Sequence, residues 1–143
     1  MSFQRLLQLG QACEREAAKI ICVRNNVTVV LTQDDTNYRT LHHDFETSDG
    51  LSYEVKADFA SMRTGNIFVE HRNNETPAGI SISTARYHII LSGGYYLIST
   101  EQLKRMVVGC RQRSTPLGTW GYLVPRAVFV NQAELISAPK LSG

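Results

Sequence analysis

The stretch from Thr40 to Arg72 contains the side chains of this chain that are best suited to chemistry. Asp44 and Glu54 are carboxylates, and Lys56 is an ammonium group two residues after the second of them. If the carboxylates lie on neighbouring strands, they are about 5 Å apart and can share one divalent cation. A nearby lysine would then place an ammonium group beside that ion. These residue types at this spacing predict a charged site that can bind a divalent cation.

A β-hairpin is the element that must bring these side chains together. The tripeptide Ser48–Gly50 separates two strand-like runs, and Asp-Gly between such runs is a strong hairpin signal. With the glycine in the left-handed conformation, Thr47 pairs with Leu51. The register then places Asp44 opposite Glu54.

Side chains alternate between the two faces of each strand in this register. The register also places His42 opposite Lys56 and Thr40 opposite Asp58, and His43 is expected to pack inward. The polar face carries His42, Asp44, Glu46, Ser52, Glu54, Lys56 and Asp58, and the apolar face carries Leu41, Phe45, Leu51, Tyr53, Val55 and Ala57. We expect the polar face to carry the site and the apolar face to join the core.

The order Asp44, turn, Glu54-Val55-Lys56 resembles the Asp…Glu-x-Lys signature of the PD-(D/E)xK nuclease superfamily. The longer string YEVKAD, TGNIFVE and PAGISISTARYHIIL resembles small phage-encoded members of it, and the resemblance covers residues 12–106. It implies a restriction-endonuclease-like mixed central sheet flanked by helices. It also implies a Mg²⁺-dependent DNA endonuclease, with Mn²⁺ as a substitute, that acts in the host cytosol on branched or phage replication intermediates. Resolvase-like members act as homodimers.

The resemblance assigns roles to individual positions. Asp44, Glu54 and the carbonyl of Val55 become the metal ligands, and Lys56 becomes the catalytic ammonium. Glu14, on the apolar stripe of a predicted first helix, matches a supporting carboxylate found in several of these families.

A second pattern overlaps the first. Asp58 and Glu70, followed by Arg72, form another Asp…Glu-x-basic arrangement. We rank it second, because a planar guanidinium does not replace a compact ammonium. In the favoured arrangement, Asp58, Glu70 and Asn66 are outer supports of the first site.

The charge distribution constrains how this chain can bind DNA. The net charge is only +2, so binding must rely on a local basic patch rather than on a global field. The candidate phosphate contacts are Arg63, Arg72, Arg111 and Arg113, the last two in a loop after Gly109.

The whole chain fits one α/β or α+β domain over residues 1–130 with a C-terminal tail over 131–143. An apolar fraction of 43% is enough for a core, and the three dispersed cysteines indicate reduced thiols in a cytoplasmic protein. No apolar run has the length of a membrane span, and no signal peptide is evident. We predict helices over residues 2–22 and 99–108, strands over 27–32, 66–72, 87–91 and 95–98, and edge strands over 119–130.

Two alternatives remain open at this level. The same fold can serve as a catalytically inactive module that binds nucleic acid or protein. The charged hairpin can also be an ordinary solvent-facing sheet of a protein that is not a nuclease, since cross-strand ion pairs are common there.

Overall fold

The computed structural model describes residues 3–32 and 42–137. Its elements in chain order are α1 (Phe3–Asn25), β1 (Val29–Thr32), β2 (Phe45–Thr47), β3 (Ser52–Ala57), α2 (Ser61–Thr64), β4 (Asn66–Asn73), β5 (Thr76–Pro77), a 3-10 turn (Gly79–Ser81), β6 (Tyr87–Leu91), β7 (Tyr95–Ser99), α3 (Thr100–Met106), β8 (Arg111–Ser114), β9 (Thr119–Pro125), α4 (Arg126–Gln132) and β10 (Glu134–Ser137). This confirms the mixed α+β class. Within the described ranges, every helix is too short or too polar to cross a membrane.

A six-stranded mixed sheet forms the centre of the molecule. Its strand order is β1-β2-β3-β6-β7-β10, with β3 and β6 parallel and the other neighbours antiparallel. The connection from β3 to β6 runs through α2, β4 and β5, as parallel neighbours require a long crossover. Polar residues of β3 and of β6 therefore lie next to each other in this central parallel pair.

The predicted hairpin register is confirmed from the turn to the pair of Phe45 with Tyr53. The predicted pair of Asp44 with Glu54 lies beyond this ladder, because β2 begins at Phe45 and the Asp44 N–H donates to the Tyr53 carbonyl. Phe45 pairs with Tyr53, the Thr47 N–H donates to the Leu51 carbonyl at 2.9 Å, and Gly50 has a φ of 83°. The predicted pair of His42 with Lys56 is wrong, because β2 begins only at Phe45 and the His42 carbonyl instead accepts from Thr84. The predicted partner of Asp58, Thr40, lies outside the described residues.

Helix α1 covers one face of the central sheet. Cys13, Ala17 and Ile21 form its buried stripe, at helical spacing, and pack against Tyr53 and Val55 of β3. The predicted helix is confirmed. It runs beyond its predicted end, residue 22, as far as Asn25, and the next residue, Asn26, has a positive φ. The apolar face of the hairpin thus joins the core as expected.

A second, four-stranded sheet has the order β5-β4-β9-β8. One of its faces shares a core with α3, α4 and the other face of the central sheet, through Ile67, Ile90, Leu103, Val124 and Phe129. The strands of the two sheets correct three expectations. Residues 119–125 form an internal strand followed by α4, rather than one or two edge strands over 119–130. Residues 111–114 form an edge strand rather than a loop. Residues 134–137 pair with β7 rather than belonging to a tail.

Candidate functional site

Asp44 lies where β2 separates from β3. Its N–H donates to the Tyr53 carbonyl at 2.8 Å, and its Oδ2 accepts from the Val55 N–H at 2.6 Å. The carboxylate thus takes the place that a backbone carbonyl would hold beside β3. Only 8% of the residue is exposed, and this burial raises the pKa of its carboxyl, against the bond from Val55 and the charge of Lys56.

Glu54 lies on β3 between Tyr53, whose carbonyl accepts from Asp44, and Val55, whose N–H donates to Asp44. Its Oε2 accepts a hydrogen bond from the Ser83 hydroxyl at 3.0 Å. The pKa of Glu54 is raised to about 7, chiefly by burial and then by the negative charge of Asp44, while Ser83 and Lys56 act in the opposite direction. Two carboxylates that repel each other in this way provide a site where a cation is favourable.

Lys56 lies two residues further along the same face of β3. Its Nζ is 3.5 Å from Glu70 Oε2, and its side chain is 53% exposed. Together with Glu54 and His88, these two residues line a cavity of about 40 Å³ between the sheets. The predicted ammonium is therefore near the predicted carboxylates, but it already has an anionic partner.

Asp44 lines a second, wider cleft. This cleft has a volume of about 440 Å³ and lies between α1 and β1, with Glu14 on its wall. Glu54 and Lys56 line the other cavity instead. Glu14 and Asp44 therefore share one cleft, and the hydrogen bond from the Val55 N–H connects Asp44 to the strand that carries Glu54 and Lys56.

Asp58 and Asn66 both make backbone contacts. Asp58 Oδ1 accepts from the Ser61 N–H at 3.1 Å and its Oδ2 from the Phe68 N–H at 2.8 Å, so it ties the turn before α2 to β4. Burial raises the pKa of Asp58, against these two bonds. The side-chain hydrogen bond of Asn66 is a long one, 3.4 Å, to the carbonyl of Thr64.

His43 packs inward as predicted. Its two ring nitrogens lie 2.7 Å from the Thr84 hydroxyl and 2.8 Å from a carboxylate oxygen of Glu46. The ring links β2 to the loop before β6, and that loop also carries Ser83.

Sequence reasoning missed Ser83 and His88. His88 lies opposite Glu54 in the parallel pair, and its Nδ1 is 2.8 Å from the Thr100 hydroxyl. The pKa of His88 is lowered to about 4, chiefly by burial and also by the charges of Lys104 and Lys56. The one signal in the sequence was a single polar residue inside the apolar run YHIIL, which does not reveal its partner strand.

The four candidate arginines lie in different places. Arg111 and Arg113 are exposed on the edge strand β8, and Arg63 is exposed on α2. Arg72 stacks on Trp120, with its guanidinium carbon 4.5 Å from the ring centroid.

The donor set bears on which metal this site can hold. Within residues 3–32 and 42–137, no three His, Cys, Asp or Glu side chains are grouped so as to hold an ion. A cation would therefore rely on Asp44, Glu54, the Val55 carbonyl and water. This fits Mg²⁺, which retains several waters and is often bound through one or two carboxylates.

Comparisons of this chain with protein-family models, with curated proteins and with solved structures find no match. The geometry of the site is therefore what carries a proposal about function.

Proposed function

We propose that this protein is a Mg²⁺-dependent endonuclease that hydrolyses DNA phosphodiester bonds with a restriction-endonuclease-like fold of the PD-(D/E)xK type. The observation that carries the proposal is the hydrogen bond from Val55 N–H to Asp44. This bond holds one carboxylate against the strand segment on which Glu54 and Lys56 flank Val55. The parallel pairing of β3 with β6 at the centre of a mixed sheet also supports it.

The residues would divide the chemistry between them. Asp44, Glu54 and the Val55 carbonyl would hold the ion, which supplies Lewis acidity and a more acidic water when bound. Lys56 stabilises negative charge on the phosphoryl group, and Glu70, 3.5 Å from its Nζ, positions the ammonium. Ser83 donates to Glu54 and so favours its ionised form, the form that binds a metal.

The test is incubation of the purified protein with supercoiled, linear, single-stranded and four-way-junction DNA. Each substrate is tested with Mg²⁺, with Mn²⁺ and with EDTA. We expect cleavage that needs the metal, is lost in Asp44→Asn and is retained in Glu75→Gln, a control at an exposed position. If no substrate is cut, or if Asp44→Asn cuts at the wild-type rate, the proposal is refuted.

A catalytically inactive module that binds nucleic acid or protein is the second candidate. The ion pair between Lys56 and Glu70 favours it, because this pair already neutralises the ammonium. Binding of DNA without cleavage under any of these metal conditions would establish it.

A further inference from the structure

The second sheet has an outer face, defined by Phe68 and Glu70 of β4, Gly121 and Leu123 of β9, and Arg111 and Arg113 of β8. These residues share one face because they are cross-strand partners. Arg111 pairs with Leu123 and Leu123 with Phe68, while Arg113 pairs with Gly121 and Gly121 with Glu70. The neighbours Ile67, Val69 and Val124 point the other way, into the core.

This outer face begins at the candidate site. Glu70, at one end of a row, contacts Lys56, and Arg113 lies at the other end. Two strand spacings separate Glu70 from Arg113, which places their Cα atoms about 10 Å apart. An extended arginine side chain spans much of that distance. The two exposed arginines of β8 therefore lie on the surface that leads towards Lys56.

Phe68 provides a flat apolar surface between the arginines and the site. A Cβ on Gly121 would lie 2.5 to 2.8 Å from three atoms of the Phe68 ring, so the ring covers the bare backbone of that glycine. The ring is only half-buried, which leaves part of it open to solvent. Leu123 beside it is also half-buried.

Arg72 does not belong to this face. The register shifts between Glu70 and Arg72, and Arg72 pairs with Trp120, whose side chain alternates with that of Gly121. The bulge therefore turns Arg72 to the opposite side of the sheet, where it stacks on Trp120.

We propose that the outer face binds an unpaired nucleic-acid strand and leads it to Lys56. Arg111 and Arg113 contact its phosphates, and Phe68 stacks on a base. An unpaired strand fits best because a base can stack on an aromatic ring only when it is free of its own stack, and aromatic residues with cations on a sheet are how proteins bind single strands. This inference rests on the proposed function, since it names the substrate that the site would cut.

The test measures binding in EDTA, so that it does not depend on cleavage. The probes are a fluorescently labelled single-stranded oligonucleotide and the blunt duplex of the same sequence, and the readout is anisotropy over a range of salt concentrations. We expect the wild type to bind the single strand more tightly. Arg111→Ala with Arg113→Ala should weaken that binding at least about 10-fold and reduce the salt slope by about 1.4, because each lost contact contributes about 0.7.

Matched variants isolate each part of the proposal. Lys19→Ala with Arg105→Ala removes the same charge from exposed positions on α1 and α3, and should leave affinity and slope unchanged. Phe68→Leu should weaken single-strand binding about 5- to 100-fold with little effect on the duplex, whereas Phe68→Tyr should retain it. Circular dichroism checks that each variant is folded.

Several results would overturn the inference. The wild type could bind the duplex as tightly as the single strand or more tightly, or it could fail to bind the single strand. The double arginine variant could behave like its control, or Phe68→Leu could keep wild-type affinity.

Failure of the two proposals is distinguishable. Metal-dependent cleavage with normal binding by the arginine variant refutes only the outer face, and binding without cleavage refutes only the nuclease.

Discussion

Glu54→Gln should stabilise the protein at alkaline pH, although it removes a residue of the candidate site. The pKa of Glu54 is about 7 in the folded chain, against an ordinary value of 4.5. Between pH 4.5 and about 7, the folded state therefore keeps the proton on the Glu54 carboxyl, while the unfolded state releases it. The contribution of Glu54 to stability is fully present below pH 4.5 and is lost as the pH rises through about 7.

The shift sets the size of the effect. At about 1.4 kcal/mol for each unit of pKa, the raised pKa of Glu54 corresponds to a free-energy cost of at most about 3 kcal/mol at pH 8. Partial relaxation of a half-buried carboxylate reduces this, so we expect Glu54→Gln to raise the free energy of unfolding by about 1 to 3 kcal/mol at pH 8. The amide keeps the shape of the side chain and an oxygen that accepts from Ser83. At pH 5 the difference from wild type should be small.

Urea unfolding followed by circular dichroism, at pH 5 and pH 8 in EDTA, measures this directly. The exposed Glu75→Gln is the control, and it should show no such dependence on pH. In a parallel series without EDTA, Mn²⁺ should stabilise the wild type at pH 8, because the proposed site exists only in the folded state, and Glu54→Gln should lose most of that gain. If Glu54→Gln is as stable as wild type at pH 8, or less stable, burial and the charge of Asp44 do not destabilise the ionised carboxylate, and the electrostatic argument fails.

Four other predictions concern the neighbours of Glu54. Lys56→Met should lower the single-turnover cleavage rate by several orders of magnitude with Mn²⁺ affinity retained, because a group that acts in the transition state is lost. Glu70→Gln should lower the same rate only about 10- to 100-fold, and complete loss would move the site to the second motif. Ser83→Ala removes a bond that lowers the pKa of Glu54, so Mn²⁺ titrations should need a higher pH for half-maximal affinity. His88, with its pKa lowered to about 4, should cost stability as the pH falls from 6.5 to about 4, and His88→Gln should flatten that part of the urea-unfolding profile.

The parts of this fold that local sequence determines were predictable. The tripeptide Ser48–Gly50 sets the hairpin register, since Gly50 adopts the left-handed turn conformation that the register needs. The start of α3 follows from Ser99, whose hydroxyl accepts from the Gln102 N–H at 3.1 Å. Both features depend on residues at most a few positions apart.

The parts that depend on distant pairing were not predictable. Ser83 reaches Glu54 only because a crossover of about 30 residues returns β6 to the side of β3. Arg111 and Arg113 follow a glycine and read as a loop, yet β9 pairs with them and fixes them on one face. Alternation of residue types gives the faces of a strand but not the identity of its neighbour.

The two overlapping motifs differ in what their aspartates connect. Both oxygens of Asp58 accept backbone N–H groups, from Ser61 and from Phe68, so its carboxylate holds two chain segments together. Asp44 Oδ2 accepts a hydrogen bond from the N–H of Val55, the residue between Glu54 and Lys56. A metal at Asp58 would compete with the contacts that attach β4, whereas a metal at Asp44 would relieve its repulsion with Glu54. Asp58→Asn should therefore act mainly on stability, measured by urea unfolding, and Asp44→Asn mainly on Mn²⁺ affinity. The reverse pattern would place the metal on the second motif.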